Sequence, residues 1–404
     1  MKTIVIGAGA AGTIAAHFAA MSGDSVTVIE KNEKIGKKIY ITGKGRCNLT
    51  NDCDADEFMK NVVTNGRFLY GALSDFLPCD TKEFFISNGL KLKTERGNRV
   101  FPLSDKSSDV IKTLAEVLKK DGVTVRFNET VKKIIVKDGC VKKIVTDIGE
   151  YSCDKAVVAT GGYSYRSTGS TGDGYEFARA VGHTVIPIKP ALVPIKTEGG
   201  FPDISGLTLK NVALKAYSGG KKIVDEFGEL LFTHTGVSGP IVLTASSKLN
   251  KSDLKNISLC IDLKPALDEE TLDKRVRQDF VKFSKKQLKN SLGDLLPSSF
   301  IERFVRATGV DPEKRVDDIN KNERRQIVST LKNFPLNFSG FADINEAIVT
   351  SGGVSTKEID PKTMESKLVK GLYFAGEVID VDALTGGFNL QIAFATGARA
   401  GKRF

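Results

Sequence analysis

Thr3-Ile4-Val5-Ile6-Gly7-Ala8-Gly9-Ala10-Ala11-Gly12 is the stretch that decides the fold. Its first four residues are a short β-rich run, the pattern of a parallel strand buried on both faces. Gly7, Gly9 and Gly12 then spell G-x-G-x-x-G, and 13–22 reads as a helix. A second strand, Ser25-Val26-Thr27-Val28-Ile29, ends at Glu30. Strand, glycine turn, helix, strand and acid in that order make a dinucleotide-binding unit. Gly7 permits the tight turn, Gly9 lets the backbone approach a pyrophosphate, and Gly12 lets helix and strand pack closely. The helix N-terminus offers unpaired N–H groups to the phosphates, and Ala10 and Ala11 of the turn join the expected contacts. Glu30 is suited to accept from ribose hydroxyls, and Lys31 beside it joins the expected contacts. An acid at position 30 disfavours a 2′-phosphate, which leaves FAD or NAD.

The far end of the chain separates those two. Leu372-Tyr373-Phe374-Ala375 reads as a strand, followed by Gly376-Glu377-Val378-Ile379-Asp380. Thr385-Gly386-Gly387-Phe388-Asn389-Leu390-Gln391 then leads into a small-residue helix over 392–401. A strand that passes through an acid and a double glycine into a helix presents backbone N–H groups at the helix N-terminus. Such an element suits the ribityl chain and the electron-rich edge of a flavin, whereas an NAD-only dehydrogenase has no need of a second grip. FAD is therefore the expected cofactor. Expected contacts at this end are Gly376, Glu377, Asp380, Gly387, Phe388, Asn389, Leu390 and Gln391. Between the two ends, Ala159-Thr160-Gly161-Gly162 closes another strand with a small-residue turn. Val131 follows a strand over 123–127, and its backbone is placed to meet the adenine edge.

The segment 34–51 is irregular and basic, with Lys38, Gly45, Arg46, Cys47 and Asn48 as candidate cofactor contacts. A guanidinium matches phosphate or flavin oxygens bidentately, which singles out Arg46. Cys47 is expected to pack rather than react, because Cys53 lacks the spacing of a redox partner.

These motifs resemble the bacterial HI0933-like flavoproteins, also described as the YhiN, BaiN or aminoacetone-oxidase-like family. The resemblance runs nearly end to end. It rests on the glycine turn, on Thr42-Gly43-Lys44-Gly45-Arg46-Cys47-Asn48-Leu49-Thr50-Asn51, and on Arg99-Val100-Phe101-Pro102. Phe232-Thr233-His234-Thr235-Gly236-Val237-Ser238-Gly239-Pro240 and 376–391 extend it. The chain departs at Lys44, where the family has glycine, at Ala383-Leu384, and at Phe388, where a tyrosine is common. The resemblance implies an α/β protein of the two-dinucleotide-binding-domain flavoprotein type, a Rossmann-like FAD-binding domain interrupted by a β-barrel-like insert with a helical subdomain. The expected boundaries are 1–187 with 354–404 for the FAD domain, 188–266 with 334–353 for the barrel, and 267–333 for the helices. It also implies redox activity without a single substrate: members have been linked to amine oxidation and to reduction of steroid-like enones.

The insert reads as short alternating strands, with Ser218-Gly219-Gly220-Lys221 as a hairpin turn, and then as charged helices broken near Gly293, Pro297 and Gly309. His234 is the one acid–base candidate there, because histidine titrates near neutrality; an ordering role in the loop is the competing reading.

Bulk properties narrow the partners. At 404 residues the chain suits two or three domains. Its net charge of +10 comes from Lys and Arg interleaved with Asp and Glu, which argues against a dedicated nucleic-acid surface. Six cysteines without a CxxC pair and only three histidines speak against zinc and against a disulfide framework, and a reduced cytoplasmic compartment is expected. No run of about 18 apolar residues predicts a membrane span. The leading expectation is an oxidoreductase that exchanges hydride between a small organic substrate and flavin N5, with NADH or NADPH as a transient donor. An oxygen-using amine oxidase and an RNA-associated flavoprotein are the alternatives, and the oligomeric state is left open.

Overall fold

Residues 3–6 are buried on both sides because the strand they form lies at the centre of a parallel sheet. The computed structural model describes residues 1–403. In it β1 (Lys2–Ile6), β2 (Ser25–Ile29), β3 (Thr124–Arg126), β4 (Lys155–Val158) and β5 (Leu372–Phe374) line up in the order β5–β4–β1–β2–β3. Every pairing among them is parallel. A three-stranded antiparallel sheet (Val131–Lys137, Cys140–Thr146, Glu150–Ser152) makes the crossover from β3 to β4.

Two helices, α1 (Ala10–Met21) and α2 (Phe388–Gly401), pack against each other through small residues. A side chain at Gly397 would overlap the Ala11 carbonyl oxygen, and one at Gly401 the Ala15 carbonyl oxygen. Both helices start earlier than their apolar pattern indicates, at Ala10 rather than 13 and at Phe388 rather than 392. In each case a glycine (Gly9, Gly387) takes the non-helical cap position, so the chain turns helical at the next residue. The segment 34–51 is also more regular than its glycines suggest: Lys37–Ile41 is a short helix, followed by a tight turn with Gly43 and Lys44 left-handed.

The chain divides into two compact units, Met1–Ala191 with Ile344–Phe404, and Leu192–Asp343. The second unit is built on a seven-stranded sheet whose pairings are antiparallel. Its edge strands, Phe334–Leu336 and Phe338–Phe341, stand at opposite ends of the strand order yet are separated in the chain only by Asn337. The sheet therefore curls until its ends meet, which is the barrel-like closure. The helices Glu269–Lys282, Ser298–Thr308 and Lys321–Lys332 bury Val276, Phe304 and Leu331 in the same core as the strand residues Leu214, Phe232 and Ile261. Their charged look comes from exposed pairs one turn apart, such as Lys274–Glu270 and Arg277–Asp273. Among the described residues no helix is long and apolar enough to cross a membrane.

Candidate functional site

The carboxyl ends of β1, β4 and β5 gather the glycine-rich turns of the first unit. Gly7 has φ +101°, and a side chain there would come 2.6 Å from the Ala159 oxygen. One at Gly12 would overlap the Gly7 carbonyl oxygen. The chain's own packing thus demands both glycines. Gly9 differs: a side chain there would meet no atom within 4 Å. The open space it leaves, a cradle, lies beside the uncapped start of α1. There the first N–H groups have no intrahelical partner.

Glu30 is buried, and its carboxylate is held in place. One oxygen accepts from the Ala8 N–H at 2.8 Å and the other from the Asn32 N–H at 2.8 Å and its side-chain amide at 2.6 Å. Val131, buried, starts the crossover strand two residues after Glu129, whose N–H donates to the Glu30 carbonyl at 3.1 Å. Lys31 reaches back to Thr171 and to Asp173 at 2.6 Å. In the turn after β4, the Ala159 N–H donates to the Ile6 carbonyl at 2.9 Å, and Gly161 takes φ +74°. Thr160 Oγ1 and Asn48 Oδ1 are among the described buried polar atoms with no hydrogen-bond partner, as are the hydroxyls of Tyr175, Thr197 and Thr233. Buried polar atoms are almost always paired, and of this group Thr160 and Asn48 lie in the segments singled out from sequence.

At the C-terminal side, Gly376 has φ +77°, and a side chain there would press 2.8 Å from the Ala11 methyl in the first turn of α1. Asp380, buried, accepts from the Asn65 amide through its carboxylate at 2.9 Å and its carbonyl at 2.7 Å. Gly387 takes φ +99° against the Thr50 backbone, where no side chain fits. Leu390 is half-buried in the first turn of α2. The side chains of its neighbours turn inward. Phe388 packs edge-on against Phe58, with ring centroids 5.3 Å apart. Asn389 clamps Ala383 by accepting from its N–H at 3.0 Å and donating to its carbonyl at 2.7 Å. Gln391 is fully buried: its oxygen accepts from Thr50 and Thr81 at 2.8 and 2.7 Å, and its nitrogen donates to the Phe76 carbonyl at 2.8 Å. Its own N–H donates to the Gly387 carbonyl at 3.0 Å. What this run leaves open to a ligand is therefore backbone at the start of α2, and Gln391 pins the core.

The basic segment divides in the same way. Lys38 donates to Glu377 at 2.7 Å and to Ser164 at 2.8 Å, within the site. Arg46 does not join them. Its guanidinium is taken by Glu95 and Asp105 and stands over the Phe101 ring at 4.2 Å. Gly45, beside it, is left-handed at φ +84°. The Leu49 N–H donates to the Val100 carbonyl at 2.9 Å and Thr50–Asn51 pairs with Arg99–Pro102, so the two sequence motifs form one small sheet. Ser164, Asn65 and Thr350 were not among the residues singled out from sequence, because single small polar residues in turns and strands carry no signal of their own.

Cys47 is fully buried at φ +61°, and burial pushes its thiol up to about 12. A thiol so desolvated is a poor nucleophile. In native protein near neutral pH, alkylation mapped by mass spectrometry is expected to mark exposed Cys79 and to spare Cys47 until the chain is denatured. Labelling of Cys47 at a rate similar to Cys79 would contradict this. His234 sits exposed in the turn between Lys221–Thr233 and Gly236–Ser238 of the second unit.

The sequence model of the family described as "HI0933-like protein Rossmann domain" matches residues 1–403. The 3-dehydro-bile acid delta(4,6)-reductase of Clostridium scindens is 32% identical over 98% of this chain and 97% of its own length. The ribosomal RNA dihydrouridine synthase of Escherichia coli is 32% identical over 97% of this chain and 95% of its own. Among solved structures, the 3-ketosteroid-delta4-(5alpha)-dehydrogenase of Rhodococcus jostii RHA1 shares the fold at 16% identity, with 99% of this chain and 95% of that chain covered and a TM-score of 0.53. A flavocytochrome c3 fumarate reductase does so at 20% identity, covering 99% and 77%, with a TM-score of 0.51. The chain belongs to the HI0933-like family, and its Rossmann-type FAD-binding fold is that of an FAD-dependent oxidoreductase.

Proposed function

We propose that this chain reduces a carbon–carbon double bond conjugated to a carbonyl group in a small organic substrate, with NADH or NADPH as the transient electron donor. The cofactor half of this reading is carried by the open cradle at Gly9, supported by unpaired buried atoms on Asn48 and Thr160 in the segments that flank the glycine turns in sequence order. Gly7, Gly9, Ala10, Ala11 and Gly12 would hold the pyrophosphate, Glu30 and Val131 the adenosine, and Asp380 with Gly387 and the start of α2 the flavin half. FAD, when bound, supplies hydride chemistry at its N5 atom. The polypeptide binds and orients, and it keeps Asn48 and Thr160 dry enough to make directional hydrogen bonds.

The substrate half rests on chemistry common to the relatives' names. A 3-dehydro-bile acid with 4,6 unsaturation and the uracil ring of uridine both contain C=C conjugated to C=O, and both names describe saturation of such a bond. An electron-poor β carbon accepts hydride readily, so one site chemistry serves both.

The test is an anaerobic titration of FAD-loaded protein. NADH or NADPH is expected to bleach the flavin absorbance, and a 3-oxo-4-ene steroid is expected to restore it. Bleaching only by an amine, with peroxide formed on re-aeration, would make the chain an oxidase. Recovery with uridine-containing RNA but with no small enone would move the substrate to RNA.

A further inference from the structure

Lys38 and Glu377 are 339 positions apart in the chain, yet their side chains meet at 2.7 Å. We infer that they form a charge-balanced pair that positions the cofactor cradle and sets the reduction potential of the flavin; this rests on the FAD reading above. Four segments converge on the pair. Lys38 comes from the basic segment and Ser164 from the loop after β4. Thr350 comes from the strand Val349–Val354, and Glu377 follows β5. Glu377 spends both oxygens: one accepts from Lys38, the other from the Thr350 N–H at 2.8 Å and from Ser164 at 3.3 Å. The Thr350 hydroxyl oxygen in turn accepts from the Tyr163 N–H at 2.8 Å.

Gly162 shows that the carboxylate is built in. A side chain there would lie 2.5 Å from the Thr350 hydroxyl and 2.8 Å from the Glu377 carboxylate, so the second glycine of the turn makes room for this junction. The pair also stands next to the nucleotide grip, because Gly376, one residue before Glu377, lies so close to Ala11 that a side chain there would come 2.8 Å from the Ala11 methyl. Side-chain exposures of 22% and 20% put both charges largely out of water, unlike the exposed Lys274–Glu270 pair at 66% and 80%. In such a setting a lone charge acts strongly over short range, while a close pair nearly cancels.

The sign of the effect follows. Without Lys38, the remaining carboxylate disfavours electron uptake and lowers the potential. Without the charge on Glu377, the remaining ammonium raises it. The experiment is dye-coupled redox titration of FAD-loaded wild type, Lys38→Met, Glu377→Gln, the double variant and Lys38→Arg. Lys38→Met is expected to shift down and Glu377→Gln up, each by about tenfold in the reduction equilibrium, about 30 mV for a two-electron couple. The double variant is expected nearer to wild type than either single, and Lys38→Arg close to wild type. Shifts of one sign for both singles, no shift for either, or a Lys38→Arg shift as large as that of Lys38→Met would overturn the inference. If Lys38→Met does not retain FAD, Lys38→Gln replaces it, with a thermal melt to verify folding. Wild type that binds no FAD would overturn the functional reading itself; wild type that binds FAD with unshifted variants overturns only the pair's role.

Discussion

Replacing Gly12 with alanine is expected to abolish FAD retention and to destabilise the chain by about 2–4 kcal/mol. The added methyl would overlap the Gly7 carbonyl oxygen, approach the Gly7 carbonyl carbon at 3.0 Å and the Ala159 methyl at 3.3 Å. The first two are backbone, so no rotamer change relieves the clash. Relief requires α1 to lift from the sheet, but α1 buries Ala11, Ile14, Ala15, Ala16 and Ala19 and is locked to α2 at Gly397 and Gly401. Lifting it would also move the N–H groups that face the cradle. Gly9→Ala provides the contrast. Its backbone is extended at φ −81°, and no protein atom lies within 4 Å of the new methyl, so stability is expected to change by less than about 0.5 kcal/mol. FAD affinity is nevertheless expected to fall at least tenfold, because the methyl occupies the cradle. Thermal melts of the FAD-free proteins and fluorescence titration with FAD separate the two effects. Wild-type affinity in Gly9→Ala would remove the cradle from the pyrophosphate.

The two glycines also show what a sequence can and cannot disclose. The strand–turn–strand unit was readable because a strand buried on both faces is a short apolar run, and because the turn's glycines fall at fixed intervals. Residue type and spacing carry that information locally. Side-chain partners are another matter. Arg46 looked like a phosphate ligand, but its partners Glu95 and Asp105 lie 49 and 59 positions away, in a strand and a turn with no motif of their own. Gln391 stands in a run that reads as cofactor-binding, yet Thr50, Thr81 and Phe76, each more than 300 positions distant, use its whole amide. Lys38 and Glu377 were each picked as cofactor contacts, and their pairing with each other became visible only in three dimensions. The strands of the second unit were legible by alternation, whereas the closure of its sheet depends on the single residue between Leu336 and Phe338.

Lys155→Met is expected to reveal a buried charge through pH. Lys155 lies in β4 with 2% exposure, and its ammonium donates to the Gly401 and Lys402 carbonyls at 3.0 Å each, where α2 ends. The Tyr373 ring lies 4.4 Å away. A cation suits the negative end of a helix, but burial dominates here and pushes the lysine down to about 8, only partly offset by Asp24 and Glu365. As pH rises, the folded chain therefore sheds this proton before the unfolded chain does. Between about 8 and the ordinary value of 10.5 the unfolded state binds more protons, so this site's contribution to stability grows with pH, by about 3 kcal/mol in all. Below about 8 the cost of the buried ammonium is constant. Wild type alone will mask this trend, because burial pushes Cys47 up to about 12 and Cys153 up to about 11, and raised thiols make stability fall from the ordinary thiol value of 9.0 upward, across the upper part of that window. The difference between wild type and Lys155→Met removes those shared contributions. Methionine keeps the stem's length and apolar contacts but does not titrate. Urea melts at about pH 7 and about pH 10.5 are expected to move that difference toward wild type by about 3 kcal/mol. A difference independent of pH would mean that the helix-end carbonyls and Tyr373 hold the ammonium well enough to cancel its burial.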